Sequence, residues 1–175
     1  MADMAEVKAE FASSRLDRAR FVLIGWFMIE QRWRYVIEKE LERDGITPAQ
    51  WLMLIVIASG FRSPPSIQEA ADAMSTTHQN VKQIAAGLER RGLMALERDP
   101  DNRRIIRLKV TEQCHALFKG REESDVKVIL RIFEGLTDDE MKALFELVAR
   151  LEGGASQLYG EAKKARMGAG NARPK

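Results

Sequence analysis

The chain has 175 residues, 45% of them hydrophobic and 31% charged, with a formal net charge of +2. That length bounds it to one domain, or one domain with an extension, and leaves enough apolar material for a core. One cysteine, Cys114, excludes an internal disulfide framework, and the small total charge does not by itself announce nucleic acid, so local charge has to decide that question.

The first residues, MADMAEVKAEFASS, carry acids and lack the apolar centre of a leader peptide. The longest apolar run, 51–58, is far short of the roughly 20 residues that cross a bilayer. A cytoplasmic protein without a membrane partner is expected. In chain order, residues 14–43 read as one long helix, with Leu16, Ala19, Leu23, Trp26, Trp33, Val36, Ile37 and Leu41 at three- and four-residue steps and Gly45 as its stop. Thr47, Pro48 and Gln50 form a capping box with proline at the first helical position, which opens a second helix ending near Gly60. Every position from 51 to 58 is apolar, so this helix is expected to be buried all round.

Ser66 and Glu69 form another capping box, opening a short helix over 67–74. Ser75, Thr76 and Thr77 make a polar turn, and a further helix runs over 78–91 to Gly92. Two short helices around a tight turn are a helix-turn-helix pattern, although helical hairpins in general share it. Over 93–110 the period changes to two. Ile106, Leu108 and Val110 alternate with Arg107 and Lys109, after a turn of Asp99, Pro100, Asp101 and Asn102, which predicts a β-hairpin, the wing. Thr111 caps a helix over 112–133, stopped by Gly135. Thr137 and Glu140 box the start of a helix over 138–159, with Met141, Leu144, Phe145, Val148 and Leu151 on one face. The periodic signal weakens after Gly153 and Gly154, and 167–175 reads as a disordered tail. The fold class is mainly α with a small β-wing.

The helix 78–91 carries the functional signal. Val81, Ile84, Ala85 and Leu88 form its core stripe, and Gln79, Lys82, Gln83, Ala86 and Arg90 the opposite one, which contains no acid. Amide side chains pair with adenine edges in a major groove, and lysine reaches guanine or phosphate. Thr76, Thr77 and His78, at the positive end of the helix, suit phosphate, and Gln79, Asn80, Lys82 and Gln83 suit bases. From 75 to 111 there are eight bases against four acids, an excess above that of the whole chain. Arg103 and Arg104 fall at the tip of the hairpin, where they suit a minor groove or its phosphates. A polar outer stripe is also what any solvated helix shows; the ordered series of capping box, turn, polar helix and basic hairpin separates the two readings. Surplus apolar surface on the long first helix and on 138–159 calls for a second subunit, and a two-fold dimer reads two half-sites of a palindromic operator.

Other constellations are weaker. His78 and His115 stand in no metal-ligand spacing, Asp138, Asp139 and Glu140 fit a helix start, and no phosphate loop or nucleophilic triad is present, so neither an enzyme, a metal nor a cofactor is expected. Cys114 lacks a cationic neighbour and a second cysteine to resolve a sulfenic acid, which favours a structural thiol over a redox sensor.

The run 67–111 resembles the DNA-binding core of MarR-type transcriptional regulators. The likeness is carried by Leu88-Glu89-Arg90-Arg91-Gly92-Leu93 and by Asp99-Pro100-Asp101-Asn102-Arg103-Arg104 through Val110-Thr111, with a looser likeness in Ile46-Thr47-Pro48-Ala49-Gln50-Trp51 and the flanking helices. It implies a dimerisation helix region at 1–45, a winged helix-turn-helix at 46–111 and dimerisation helices at 112–166, a recognition helix at 78–91, and an Arg104 that enters the minor groove. It also implies a repressor and a small aromatic effector, for which Trp26, Phe27, Trp33 and Trp51, with Met28 and Met53, are the candidate lining. Aromatic residues and methionines at helical spacing more often form core. Two positions depart from the family pattern. Asn102 stands where an aspartate usually orients the wing arginine, leaving Asp99 or Asp101 to substitute or the wing held more loosely, and Cys114 stands where glycine is common. The alternative function is a winged helix that binds proteins rather than bases.

Overall fold

The computed structural model describes residue 11 and residues 13–171. The acidic segment 1–10, read above as lacking a leader, lies outside the described residues, as do residues 172–175 of the expected tail. Helix α1 spans Arg15–Glu42, about 42 Å at 1.5 Å per residue. The Ser14 hydroxyl caps it, accepting from the Asp17 amide at 3.1 Å. Gly45, at φ +62°, reverses the chain in the left-handed region. Helix α2, Pro48–Gly60, opens on the predicted reciprocal box: the Gln50 amide donates to Thr47 Oγ1 at 3.2 Å and the Thr47 amide to Gln50 Oε1 at 3.1 Å.

Helix α3, Ile67–Ala73, is boxed by Ser66 and Glu69, and helix α4, His78–Arg90, is capped by Thr77. Strands β1, Met94–Arg98, and β2, Ile106–Val110, pair antiparallel with Met94 opposite Val110 and Arg98 opposite Ile106. The chain before α3 extends this hairpin: Ser66 bridges to Arg107, and the Leu108 amide donates to the Pro65 carbonyl at 2.8 Å. Helices α5, Glu112–Ile132, and α6, Asp138–Asn171, complete the chain.

One apolar core holds the winged module together. It takes Leu41 from α1, Met53, Leu54 and Ile57 from α2, Ile67, Ala70 and Ala71 from α3, Val81, Ala85 and Leu88 from α4, Leu93, Met94 and Leu108 from the hairpin, and Cys114 from α5. Leu54, Ala70, Val81, Ala85, Leu88 and Leu108 are all fully buried. Gly87 lets α4 close onto α2, because a Cβ there would meet Gln50 Nε2 at 2.8 Å. A buried charge ties α5 to the end of α1: Arg121 pairs with Asp44, bonds Asp125 at 2.8 Å and donates to the Glu40 carbonyl at 3.3 Å.

The structure corrects two expectations. Helix α2 is not buried all round: Leu52 is 47% exposed, and the turn 58–60 faces outward, because only one side of α2 meets the core. Helix α6 continues through Asn171, past 159. Gly153 and Gly154 weaken the apolar pattern, but a glycine inside a helix costs only about 1 kcal/mol and need not end it. On α1, Leu41 is buried and Ile37 packs against the core, while Leu16, Leu23 and Trp26 are exposed.

Because Leu88 sits where α4 meets the core, Leu88→Ala is expected to cost about 2–5 kcal/mol of unfolding free energy. Urea denaturation followed by circular dichroism measures it; a loss below about 1 kcal/mol contradicts the packing described.

Candidate nucleic-acid interface

Helix α4 divides cleanly into two faces. Val81, Ala85 and Leu88 are turned into the core with no exposed surface. His78, Gln79, Asn80, Lys82 and Gln83 are all exposed. The helix starts where Ser75, at φ +49°, turns the chain, with its amide donating to the Asp72 carbonyl at 3.1 Å. Thr77 Oγ1 then accepts from the Asn80 amide at 3.1 Å, and Thr76 Oγ1 from Asn80 Nδ2 at 3.0 Å. Half-buried Thr76 thus holds the Asn80 amide group in place, while among the described residues Asn80 Oδ1 and the Thr77 hydroxyl hydrogen have no other partner. The first turn of a helix leaves amide groups without internal acceptors, and its dipole favours an anion there.

The hairpin is anchored by a residue pair that sequence reasoning missed. Asp99, nearly buried, accepts from the amides of Asp101 and Asn102, both at 2.9 Å, and from Arg107 Nε at 2.6 Å. Arg107 also reaches Glu69 Oε2 on α3 at 3.0 Å. Period-two alternation had put Arg107 on the solvent face with Lys109; the available signal was Asp99 itself, an acid at the end of one strand with an arginine in the other. The Arg107 guanidinium holds the Asp99 carboxyl below its ordinary range, followed by the Asn102 amide. A depressed carboxylate stabilises the folded state above its unfolded value, so this anchorage is fully present above about pH 4 and is lost as pH falls through the lowered value.

Asn102 shapes the turn that follows: its Oδ1 accepts from the Arg104 amide at 3.1 Å. Neither Asp99 nor Asp101 takes over the orientation of the Arg104 side chain. Both Asp99 oxygens are committed to loop amides and Arg107, and among the described residues the Arg104 guanidinium makes no hydrogen bond or ion pair. Arg103 and Arg104 both project into solvent, and Arg98 donates to the Arg103 carbonyl at 3.2 Å behind them.

The eight cations between 75 and 111 therefore separate into two kinds. Arg91 donates to the Asp44 carbonyl, Arg98 to that of Arg103, Arg107 serves Asp99 and Glu69, and Lys109 pairs with Glu97 at 3.4 Å. Lys82, Arg90, Arg103 and Arg104 have no side-chain partner among the described residues. The unengaged cations lie on the outer side of α4 and at the hairpin tip, an arrangement able to take polyanion phosphates on either side of an amide-bearing helix.

The four aromatic residues considered for an effector are not gathered together. Trp26 and Phe27 lie on α1, 49% and 60% exposed. Trp33 packs edge-on against Phe133, just past the end of α5, with ring centroids 5.2 Å apart. Trp51 packs on the core and, with Ile37, Leu41 and Ile129, lines a small cleft between α1, α2 and α5. Met53 is fully buried and Met28 is 43% exposed. Glu140 accepts from the Thr137 amide at 2.8 Å and so belongs to the helix start. No cluster of His, Cys, Asp or Glu among the described residues is placed to hold a metal ion, and no helix among them is long and apolar enough to cross a membrane. Cys114 is fully buried, and burial pushes its thiol up to about 11.

Comparison with known proteins agrees with this geometry. Residues 44–105, which hold α2, α3, α4 and β1, match the family model described as the MarR family. Over those residues the chain is similar to the MarR family. The structure of the transcriptional regulator SlyA superposes with a TM-score of 0.72 at 17% identity, covering 81% of this chain and 98% of that one. A MarR protein from Peptoclostridium difficile gives 0.73 at 13% identity, covering 81% and 91%. A mutant MarR from E. coli complexed with operator DNA gives 0.68 at 18% identity, covering 79% and 99%. The chain thus has the fold of MarR-type transcriptional regulators, with the long helices outside the family match included in the likeness.

Two measurements check this site. Asp99→Ala is expected to speed tryptic cleavage at Arg103 and Arg104 severalfold while helical circular dichroism stays unchanged; an unaltered cleavage rate argues against the anchoring role. Cys114 is expected to resist an aromatic disulfide reagent in the native protein and to react only on unfolding; rapid native labelling contradicts its burial.

Proposed function

We propose that this chain is a sequence-specific, double-stranded DNA-binding transcriptional regulator that works as a cytoplasmic homodimer. The observation that carries the reading is the outer face of α4: Gln79, Lys82 and Gln83 are exposed, free of acids and set between a threonine-capped helix start and an arginine-tipped hairpin. In this reading Gln79, Asn80, Lys82 and Gln83 contact base edges in the major groove. Thr76, Thr77 and His78 hold phosphate, and Arg103 and Arg104 work the adjacent minor groove or its backbone.

The homodimer is supported by apolar surface that a monomer leaves in water. Leu16, Leu23 and Phe27 on α1, and Phe145, Leu151 and Leu158 on α6, are each more than half exposed. Patches of this kind mark association surfaces, and a two-fold partner would space two recognition helices about one turn of DNA apart. Repression by blocking a promoter, with release by a small aromatic effector, completes the proposal. The effector part fails if a panel of aromatic acids leaves both thermal stability and DNA affinity unchanged.

Footprinting on the intergenic DNA beside its own gene, across a salt series with random competitor, tests the central reading. A protected palindrome is expected; weak binding indifferent to sequence would turn the reading toward a winged helix that binds proteins. Gln83→Ala should cost about 1–3 kcal/mol at one base position and relax specificity there, whereas Arg104→Ala should weaken binding to all sequences and reduce the salt slope by about 1. Phe145→Glu is expected to shift sedimentation from dimer to monomer and to weaken operator binding with it.

A further inference from the structure

We propose that the turn 43–45, between α1 and α2, is the joint that sets the angle of helix α4 to the long helices, with Arg91 and Asp44 as its positioning residues, and that it thereby fixes the half-site spacing the homodimer accepts. This inference rests on the DNA-binding and homodimer readings above and names what determines one part of their specificity.

The first observation is where the winged module meets the long helices. On α1 the core takes Ile37 and Leu41, and on α5 it takes Cys114, Leu117 and Phe118. Further along, α1 and α5 hold each other, with Trp33 edge-on to Phe133. The two helices therefore leave the module together, and the turn 43–45 lies at that exit.

The second observation is that Asp44 bonds to both sides of the exit. Its carbonyl accepts from Arg91, the C-terminal cap of α4. Its carboxylate pairs with Arg121 of α5, a side chain only 4% exposed. Arg121 also donates to the Glu40 carbonyl at 3.3 Å, and Arg43 donates to Ser124 Oγ at 2.6 Å, so α5 grips the end of α1 and the turn as one. Gly45 completes the fit. At φ +62° it reverses the chain, and a Cβ there would stand 3.1 Å from Arg91 Nη1. The backbone of the turn thus passes close under the Arg91 guanidinium, an approach that a side chain would crowd.

Leverage makes this joint matter. Helix α4 has 13 residues, about 20 Å at 1.5 Å per residue, so its exposed start stands that far from Arg91. A rotation of roughly 10° about the Arg91 end moves that start by about 3.5 Å, on the order of one base-pair rise. In a two-fold dimer both copies move, and the separation of the recognition helices has to match that of the half-sites.

The test uses the full chain and begins without DNA. Spin labels on Gln79→Cys, at the exposed start of α4, read the distance between two copies by double electron–electron resonance; Cys114 is buried and stays unlabelled. Arg91→Gln is expected to shift or broaden that distance distribution, with circular dichroism and sedimentation unchanged. Arg91→Lys, which keeps a donor, is expected to fall between the two. Fluorescence anisotropy, with Gln79 restored, then measures affinity for the protected duplex, for the same duplex lengthened or shortened by a base pair at its centre, and for random DNA. Wild type is expected to prefer the natural spacing, and Arg91→Gln to cut that preference severalfold while affinity for random DNA and the salt slope hold. An unchanged distance distribution overturns the inference. So does an equal loss on every duplex with a lower salt slope, which makes Arg91 a phosphate contact instead. Wild type that gives no distance between copies sinks the homodimer reading, and wild type indifferent to sequence sinks the DNA-binding reading, each taking this inference with it. Wild type that dimerises and binds its site while Arg91→Gln matches it throughout sinks the inference alone.

Discussion

A helix that offers one face to a ligand must be gripped by the other, and here the grip is the inner stripe of α4. Val81, Ala85 and Leu88 are buried completely against residues of α2, α3 and the hairpin. Close packing of this kind allows little rotation about the helix axis, because turning any of these side chains outward would expose it and open a void. Gly87 brings α4 against Gln50, the same residue that boxes the start of α2. The direction in which Gln79, Lys82 and Gln83 point is thus set by residues that no ligand touches.

Charge is divided along the same line. Arg91, Arg107 and Arg121 are consumed in holding elements together, each with a carbonyl or carboxylate as partner. Lys82, Arg103 and Arg104 hold nothing within the described residues and face solvent. Removing one partner of a buried pair such as Arg121 with Asp44 leaves an uncompensated charge, whereas a surface cation can be lost with little effect on folding. Stability and binding therefore draw on different cations, although composition counts them alike.

Much of this was legible in the sequence because its signals are local. Capping boxes at Thr47, Ser66 and Thr137 involve residues three apart, and the α4 stripe and the β2 alternation are periodic over short windows. What escaped depends on distant pairs. Arg121 meets Asp44 across 77 residues and Arg107 meets Glu69 across 38, separations at which no periodicity speaks. The extent of α6 escaped for the opposite reason: Gly153 and Gly154 look like a stop, yet nothing follows them that captures the chain in another conformation. The all-round burial expected for α2 failed at Leu52, since apolar composition says how much surface wants cover but not whether the same chain provides it. For the proposed base contacts, the sequence named an exposed face and the structure shows its geometry; Asn80, already bonded to Thr76, is the member whose side chain is partly engaged in advance.

The acceptor Glu69 Oε2 has a wider consequence. It takes the Ser66 amide at 2.7 Å, closing the start of α3, and Arg107 of the hairpin at 3.0 Å. Arg107 in turn grips Asp99, whose other oxygen shapes the wing loop. The first helix of the pair and the wing thereby meet at a single acceptor atom, which braces the head they form in the proposed regulator. A signal arriving at such a molecule gains little by bending the head. In the proposed homodimer, what it can alter is the gap between two heads, as the jaws of a caliper are reset by the beam that carries them, the long helices being that beam.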